Sequence, residues 1–192
     1  MPNPIISHQA PALYLKMKFP KWIDGVSICI GALVPDLTLT IEIRHVTHSL
    51  LGQIYWTVPI TLILGMLFSR YIASILSNIA NKKGVIPKLL QYFGVGKWGI
   101  LKSKKFDKKF LLVAFYSALL GGLTHLLLDF PSHPYIELFY PWGIFPLYEY
   151  VWISGVIWIV EDIILFITSL YLLRTINKKD LIKSWYALMP NN

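Results

Sequence analysis

The sequence predicts an all-α integral membrane protein, and three observations carry that prediction. Hydrophobic residues make up 55% of the 192 and charged residues only 15%, against about 25% charged in a soluble domain. Three segments, 49–79, 110–129 and 151–173, contain apolar runs long enough to cross the roughly 30 Å hydrocarbon core of a bilayer. The net charge of +8 is concentrated: residues 82–109 hold nine lysines and one aspartate, and the remainder balances nine basic against nine acidic residues. A basic excess confined to one loop reads as the cytoplasmic side of a membrane protein and not as a nucleic-acid surface. The chain reads as a single membrane domain, residues 1–192.

Taken in order, residues 7–36 form an N-terminal hairpin of two short helices. Pro11 fits only a first helical turn, so a helix runs from about Ser7 or His8 to Lys18, and Pro20 ends it. At about 15 Å it is too short to span. It also lacks the charged start and uninterrupted apolar core of a cleaved signal. A second helix covers the apolar, small-residue stretch Val26–Pro35 and stops at Pro35-Asp36, which makes the hairpin re-entrant or short-spanning. Residues 37–48 form a loop carrying His45 and His48. Ser49–Ser69 holds no charge over 21 residues, and Pro59 and Gly65 should bend this helix without ending it.

The basic loop 80–109 follows, and then 19 residues, Phe110–Leu128, without Asp, Glu, Lys or Arg. Ser117, Ala118, Gly121 and Gly122 give that span a small-residue face suited to close helix contact. Loop 130–149 has the proline and aromatic content of an interfacial belt. The last span, 151–173, is apolar apart from Glu161-Asp162.

With loop 80–109 and the C-terminal tail placed in the cytoplasm, three spans force the ends at Ser49, Asp129 and Val151 to the opposite side. Potential metal ligands gather there. His125 and Asp129 are four residues apart, so on a helix they share one face about 6 Å apart along the axis. Asp36, His45, His48 and His133 fall at the same edge, and His8 joins them if the hairpin is re-entrant. The single Cys29 permits neither a disulfide nor a thiolate cluster, so a metal here is held by nitrogen and oxygen.

Each residue has a plainer reading beside this one. His8 can cap a helix, Asp36 can be a turn residue, His45 can face water and His133 can be a loop residue. His48, flanked by Thr47 and Ser49, can sit beside an N-cap. Arg44 can snorkel or hold an anion. Glu161 and Asp162 lie at membrane depth, where acids are costly. The expectation is that Thr47, Ser49 and these two acids support the ligands, with one acid accepting the free ring N–H of His125; a proton path is the competing use.

His8, Gly31-Ala32-Leu33-Val34-Pro35-Asp36, Arg44-His45-Val46-Thr47-His48-Ser49-Leu50-Leu51 and Gly122-Leu123-Thr124-His125-Leu126-Leu127-Leu128-Asp129 together resemble the YdjM-like family, whose members are described as membrane-bound metal-dependent hydrolases of bacteria and archaea. A related family of unknown function carries the same order of motifs. More remotely, the ligand order is similar to that of zinc-dependent phospholipase C. That resemblance implies one metal held by Asp36, His48, His125 and Asp129, with Asp129 bridging to a second held by His8. His133 matches the start of a third set whose closing HxxxE is absent.

The expected activity is hydrolysis at the outer leaflet of the cell membrane, on a phosphoester or lipid-like substrate, with one or two Zn²⁺-type ions activating water and Arg44 or the second ion offsetting developing charge. Two alternatives stand beside it: a non-catalytic metal- or proton-handling membrane protein, and a structural membrane protein whose polar cluster ties helices together.

Overall fold

The computed structural model describes residues 6–37, 43–129, 137–142 and 155–182. Among these the regular structure is entirely helical. Helix α1, Gln9–Lys18, carries Pro11 in its first turn as expected, and α2, Gly25–Gly31, returns beside it. Asp24 caps α2, its side chain accepting from the Ser27 backbone N–H at 2.8 Å. A 3₁₀ turn, Val34–Asp36, closes the hairpin, and a one-turn helix α3, Arg44–Thr47, precedes the first long helix.

That long helix, α4, runs Leu50–Ala80. Ser49 caps it by accepting from Gly52 N–H at 2.9 Å. Its turn widens to π type at Gln53–Thr57, directly before Pro59, and again at Phe68–Ile72. Proline lacks an N–H and its ring crowds the carbonyl four residues back. A wide turn just upstream relieves that crowding and lets the helix continue, as the sequence anticipated.

The basic stretch is more ordered than a loop. It forms helix α5, Val85–Tyr92, and a 3₁₀ segment, Val95–Ser103, packed against the end of α4. Helix α6, Lys108–Asp129, follows, and α7 covers Gly155–Lys178.

The small-residue face of α6 does what its sequence implied. A Cβ on Gly121 would run into the Ile28 carbonyl, and one on Gly31 into the Ala118 carbonyl. Only glycine at these two points lets α2 and α6 meet backbone to backbone. Helix α1 lies against α7 and α2.

The membrane prediction is corrected in one respect. Among the described residues two helices, α4 and α6, and not three, are long and apolar enough to cross a membrane. The third expected span, 151–173, begins outside the described residues; from Gly155 it is a helix, α7, whose apolar run is interrupted by Glu161 and Asp162.

A buried ionic cluster closes one end of the α2–α6 contact. The Lys104 ammonium pairs with the Asp24 carboxylate, and Lys16 Nζ donates to the carbonyls of Pro20 and Ile23, each at 2.7 Å. The backbone N–H of Asp24 reaches Ser117 Oγ at 3.0 Å. Burial pulls the Lys104 ammonium down to about 8, against the opposing pull of Asp24.

Candidate metal centre

The other end of the same contact holds the predicted ligands. His125 and Asp129 project from the last turns of α6, both fully buried. Asp36 comes from the 3₁₀ turn after α2, and His48 ends α3 just before α4 begins. One ligand atom from each of these four lies within 4.8 Å of every other. Asp129 Oδ2 is 3.2 Å from His125 Nε2 and 3.4 Å from His48 Nε2. Asp36 Oδ1 is 3.3 Å from His48 Nε2 and 3.8 Å from His125 Nε2.

The outer nitrogens decide what the inner ones can do. His125 Nδ1 is 2.9 Å from the Ala32 carbonyl. A carbonyl only accepts, so Nδ1 carries the proton and Nε2 presents a lone pair. His48 Nδ1 is 3.2 Å from the Arg44 carbonyl, with the same consequence. Thr47 Oγ1 donates to that carbonyl and stands 3.0 Å from His48 Nδ1, where it accepts. The two Nε2 atoms therefore face each other across 3.3 Å. With two carboxylates beside them, four acceptors converge on one point, an arrangement that requires a cation or a proton at its centre.

In the metal-free chain the surroundings favour a proton in that place. Burial disfavours the charged ring of His48, but hydrogen bonding to Asp129 and Asp36 outweighs it and raises the pKa above the usual histidine value. Burial pushes the Asp36 carboxyl up, and the His48 hydrogen bond with the charge of His125 overcomes it, leaving Asp36 below the usual carboxylate range.

His8 stands next to this group. Its Nε2 is 3.1 Å from Asp129 Oδ1, the oxygen turned away from the histidine pair, and its Nδ1 is 3.9 Å from Asp36 Oδ2. His8 is only 1% exposed, and while Nε2 has the Asp129 carboxylate beside it, Nδ1 makes no hydrogen bond. A buried ring nitrogen without a partner is costly, and a second cation held by His8 would satisfy it. Arg44 Nη2 lies 4.0 Å from Asp36 Oδ1, at the partly exposed rim.

The remaining candidates separate. His45 turns away and packs on the edge of Tyr140, ring centroids 4.7 Å apart. His133 lies outside the described residues. Ser49 caps α4 and donates to the Val46 carbonyl at 2.7 Å. Asp162 accepts from the Ser7 hydroxyl and so tethers the residue before His8. Glu161 is partly exposed on α7. The ring partner expected for His125 is thereby corrected: it is the Ala32 carbonyl and not an acid of the last helix, because α2 already touches α6 at that level.

Gln53 was missed. It is fully buried and donates from Nε2 to the carbonyls of Thr47 and Ser49 at 2.9 Å and 3.1 Å, fixing the turn that presents His48. A lone amide in an otherwise apolar run was the available signal.

No curated protein and no solved structure matches the chain. One family model does, over residues 1–143, a length that includes every ligand described above. The chain belongs to that family, described as a domain of unknown function, DUF4184.

Proposed function

We propose that the protein is a membrane-embedded, metal-dependent hydrolase, as its resemblance to the YdjM-like family implies. The observation that carries this reading is the pair of Nε2 lone pairs 3.3 Å apart, both fixed by backbone carbonyls and flanked by two carboxylates. Donors of nitrogen and oxygen without sulfur suit Zn²⁺ and its neighbours. Such an ion supplies Lewis acidity toward a phosphoryl or acyl oxygen when bound.

The chain's own residues do the rest. Asp36 and Asp129 offset the charge of a dication, and the Ala32 and Arg44 carbonyls hold the two rings in the ligating tautomer. Arg44, 30% exposed at the rim, is placed to contact the anionic part of an entering phosphoester. Asp129 turns one oxygen to the histidine pair and the other to His8, which supports a second ion. Helices α4 and α6 lie in the membrane, the lysine-rich segment 82–109 faces the cytoplasm and the ligand cluster opens outward.

The test is metal analysis of purified protein beside an Asp129→Ala variant, together with release of nitrophenol from a nitrophenyl phosphodiester. Stoichiometric Zn²⁺ and turnover in the wild type, both absent from the variant, support the reading. Equal metal content in the two proteins overturns it. Bound metal without turnover on any ester favours the non-catalytic metal-handling alternative.

A further inference from the structure

Beside the metal centre runs a cavity of about 240 Å³ between α1, α2, α4, the 3₁₀ segment and α7. Its wall on α2 is formed by Gly25, Val26, Cys29, Ile30 and Leu33. These positions recur at i, i+4 and i+8, one face of the helix over about 12 Å. The space is therefore elongated along α2. Its far end is lined by Trp98 and Leu101, and its near end by Ile6, Gln9 and Leu33. Gln9 follows His8, and Leu33 follows Ala32, whose carbonyl orients His125.

The lining is mostly Ile, Leu, Val, Phe and Trp, and the hydroxyl of Ser169, which also lines it, is turned to the Ser7 carbonyl. Apolar cavities of about 150 Å³ stay dry and take up a benzene-sized ligand, so this one accommodates a longer apolar group. One polar atom stands out at its near end. Gln9 is 9% exposed; its Nε2 donates to the Cys29 carbonyl at 3.1 Å, and its Oε1 is buried with no hydrogen-bond donor in reach. A lone buried acceptor costs stability unless something supplies a donor. An apolar tube ending at one unsatisfied acceptor matches an aliphatic chain whose head carries a hydroxyl or amide N–H.

We propose that this cavity holds one aliphatic chain of a membrane lipid, with Gln9 Oε1 accepting from the polar head of that chain at the edge of the metal centre. The inference rests on the hydrolase reading for its purpose, which is to present the head group to Asp36, His48, His125 and Asp129. It does not rest on that reading for the binding itself. The lipid class it selects is single-chain or splayed-chain, because about 240 Å³ spread along α2 leaves room for one chain and not two.

The experiment uses the full chain in nanodiscs and two probes, ω-bromododecanol and bromododecane. Bromine quenches indole at short range, and the Trp98 signal is isolated by subtracting the Trp98→Phe variant. Saturable quenching of Trp98 by the alcohol is expected. Ile30→Phe, which fills the cavity, should weaken it at least ~10-fold by removing buried chain contacts. Gln9→Leu keeps the side chain's size but gives up the hydrogen bond to the Cys29 carbonyl, so it is compared at a Tm shown to match wild type, and it should erase a preference of about fivefold for the alcohol over the bromoalkane.

Quenching that never saturates, or that Ile30→Phe leaves unchanged in a protein of unaltered Tm, overturns the proposal. Chelator separates it from the hydrolase reading. Chain binding that persists after metal removal supports the cavity even where no hydrolysis is found. Hydrolysis with no saturable quenching leaves the hydrolase reading standing and refutes the cavity.

Discussion

Two buried polar clusters sit at opposite ends of the same α2–α6 contact, and they are built on opposite principles. Ser117, which meets the Asp24 backbone, and His125 are eight residues apart on α6, about 12 Å. At the Asp24 end, donors and acceptors answer each other: two ammonium groups meet a carboxylate, two carbonyls and a cap. At the His125 end, acceptors face acceptors. Four ligand groups converge, and Nδ1 of His8 makes no hydrogen bond. The first arrangement is complete as it stands and locks the hairpin to α6. The second becomes complete only with an added charge, and that difference separates a cluster that holds the fold from one that binds.

The comparison breaks most readily at Asp24. Asp24→Ala removes the carboxylate facing the buried Lys104 ammonium, and it should cost about 3–5 kcal/mol, the range for breaking a buried pair. Replacing Asp24 and Lys104 together by Leu should cost less, because the only ammonium then left buried is Lys16, which keeps the Pro20 and Ile23 carbonyls. Chemical denaturation of the three proteins checks this. A single variant as stable as the double would mean that the pair does not hold the hairpin.

Asp129→Asn is the matching change at the other end, and its effect should fall on binding instead. Metal affinity should drop by at least about 100-fold, while the metal-free protein should lose only about 1–2 kcal/mol, since His48 loses one carboxylate partner and keeps Asp36. Wild type at about 100 times its dissociation constant should gain about 2.7 kcal/mol from the ion, and the variant about 0.4 kcal/mol or less. Unfolding of the metal-free variant at room temperature would show that this cluster too is structural.

A smaller effect sharpens the tautomer argument. Thr47→Val removes the hydroxyl beside His48 Nδ1 without changing the side chain's shape. Loss of such a supporting group typically lowers metal affinity about 10-fold or somewhat more. Calorimetric titration of Zn²⁺ would measure it, and an unchanged constant would assign the tautomer to the Arg44 carbonyl alone.

The smallest expected effect is in pH. His48 is raised when folded, so its contribution is complete below about pH 6.5 and is lost as pH rises through the folded value. Asp36 is lowered, so its contribution is present above about pH 4 and is lost as pH falls through its folded value. The proton-filled site thus helps stability most between those limits, whereas an ion needs His48 neutral. The rise in Tm on adding Zn²⁺ should therefore grow from pH 6 to pH 8 as the metal-free Tm declines slightly. A rise in Tm independent of pH would mean that His48 does not give up a proton to the ion.

Much of this was legible in the sequence because it depends on spacing along one helix. The HxxxD pair on α6, the Pro11 turn, the stop at Pro35-Asp36 and the glycine face that meets α2 all follow from helical periodicity and from what proline and glycine permit. Membership in one metal group was foreseen for Asp36, His48, His125 and Asp129 from motif order and charge asymmetry.

What the sequence could not contain is which backbone atom meets which side chain. The Ala32 and Arg44 carbonyls that set the histidine tautomers carry no signature of residue type, since every residue has a carbonyl. The burial of Lys16 and Lys104 runs against their composition and arises only because the hairpin folds back on α6 and brings Asp24 to them. The sequence by itself determined which groups could ligate and which helix faces could touch. Only the tertiary packing decided that one polar cluster would be neutralised from within and the other left to draw its charge from outside.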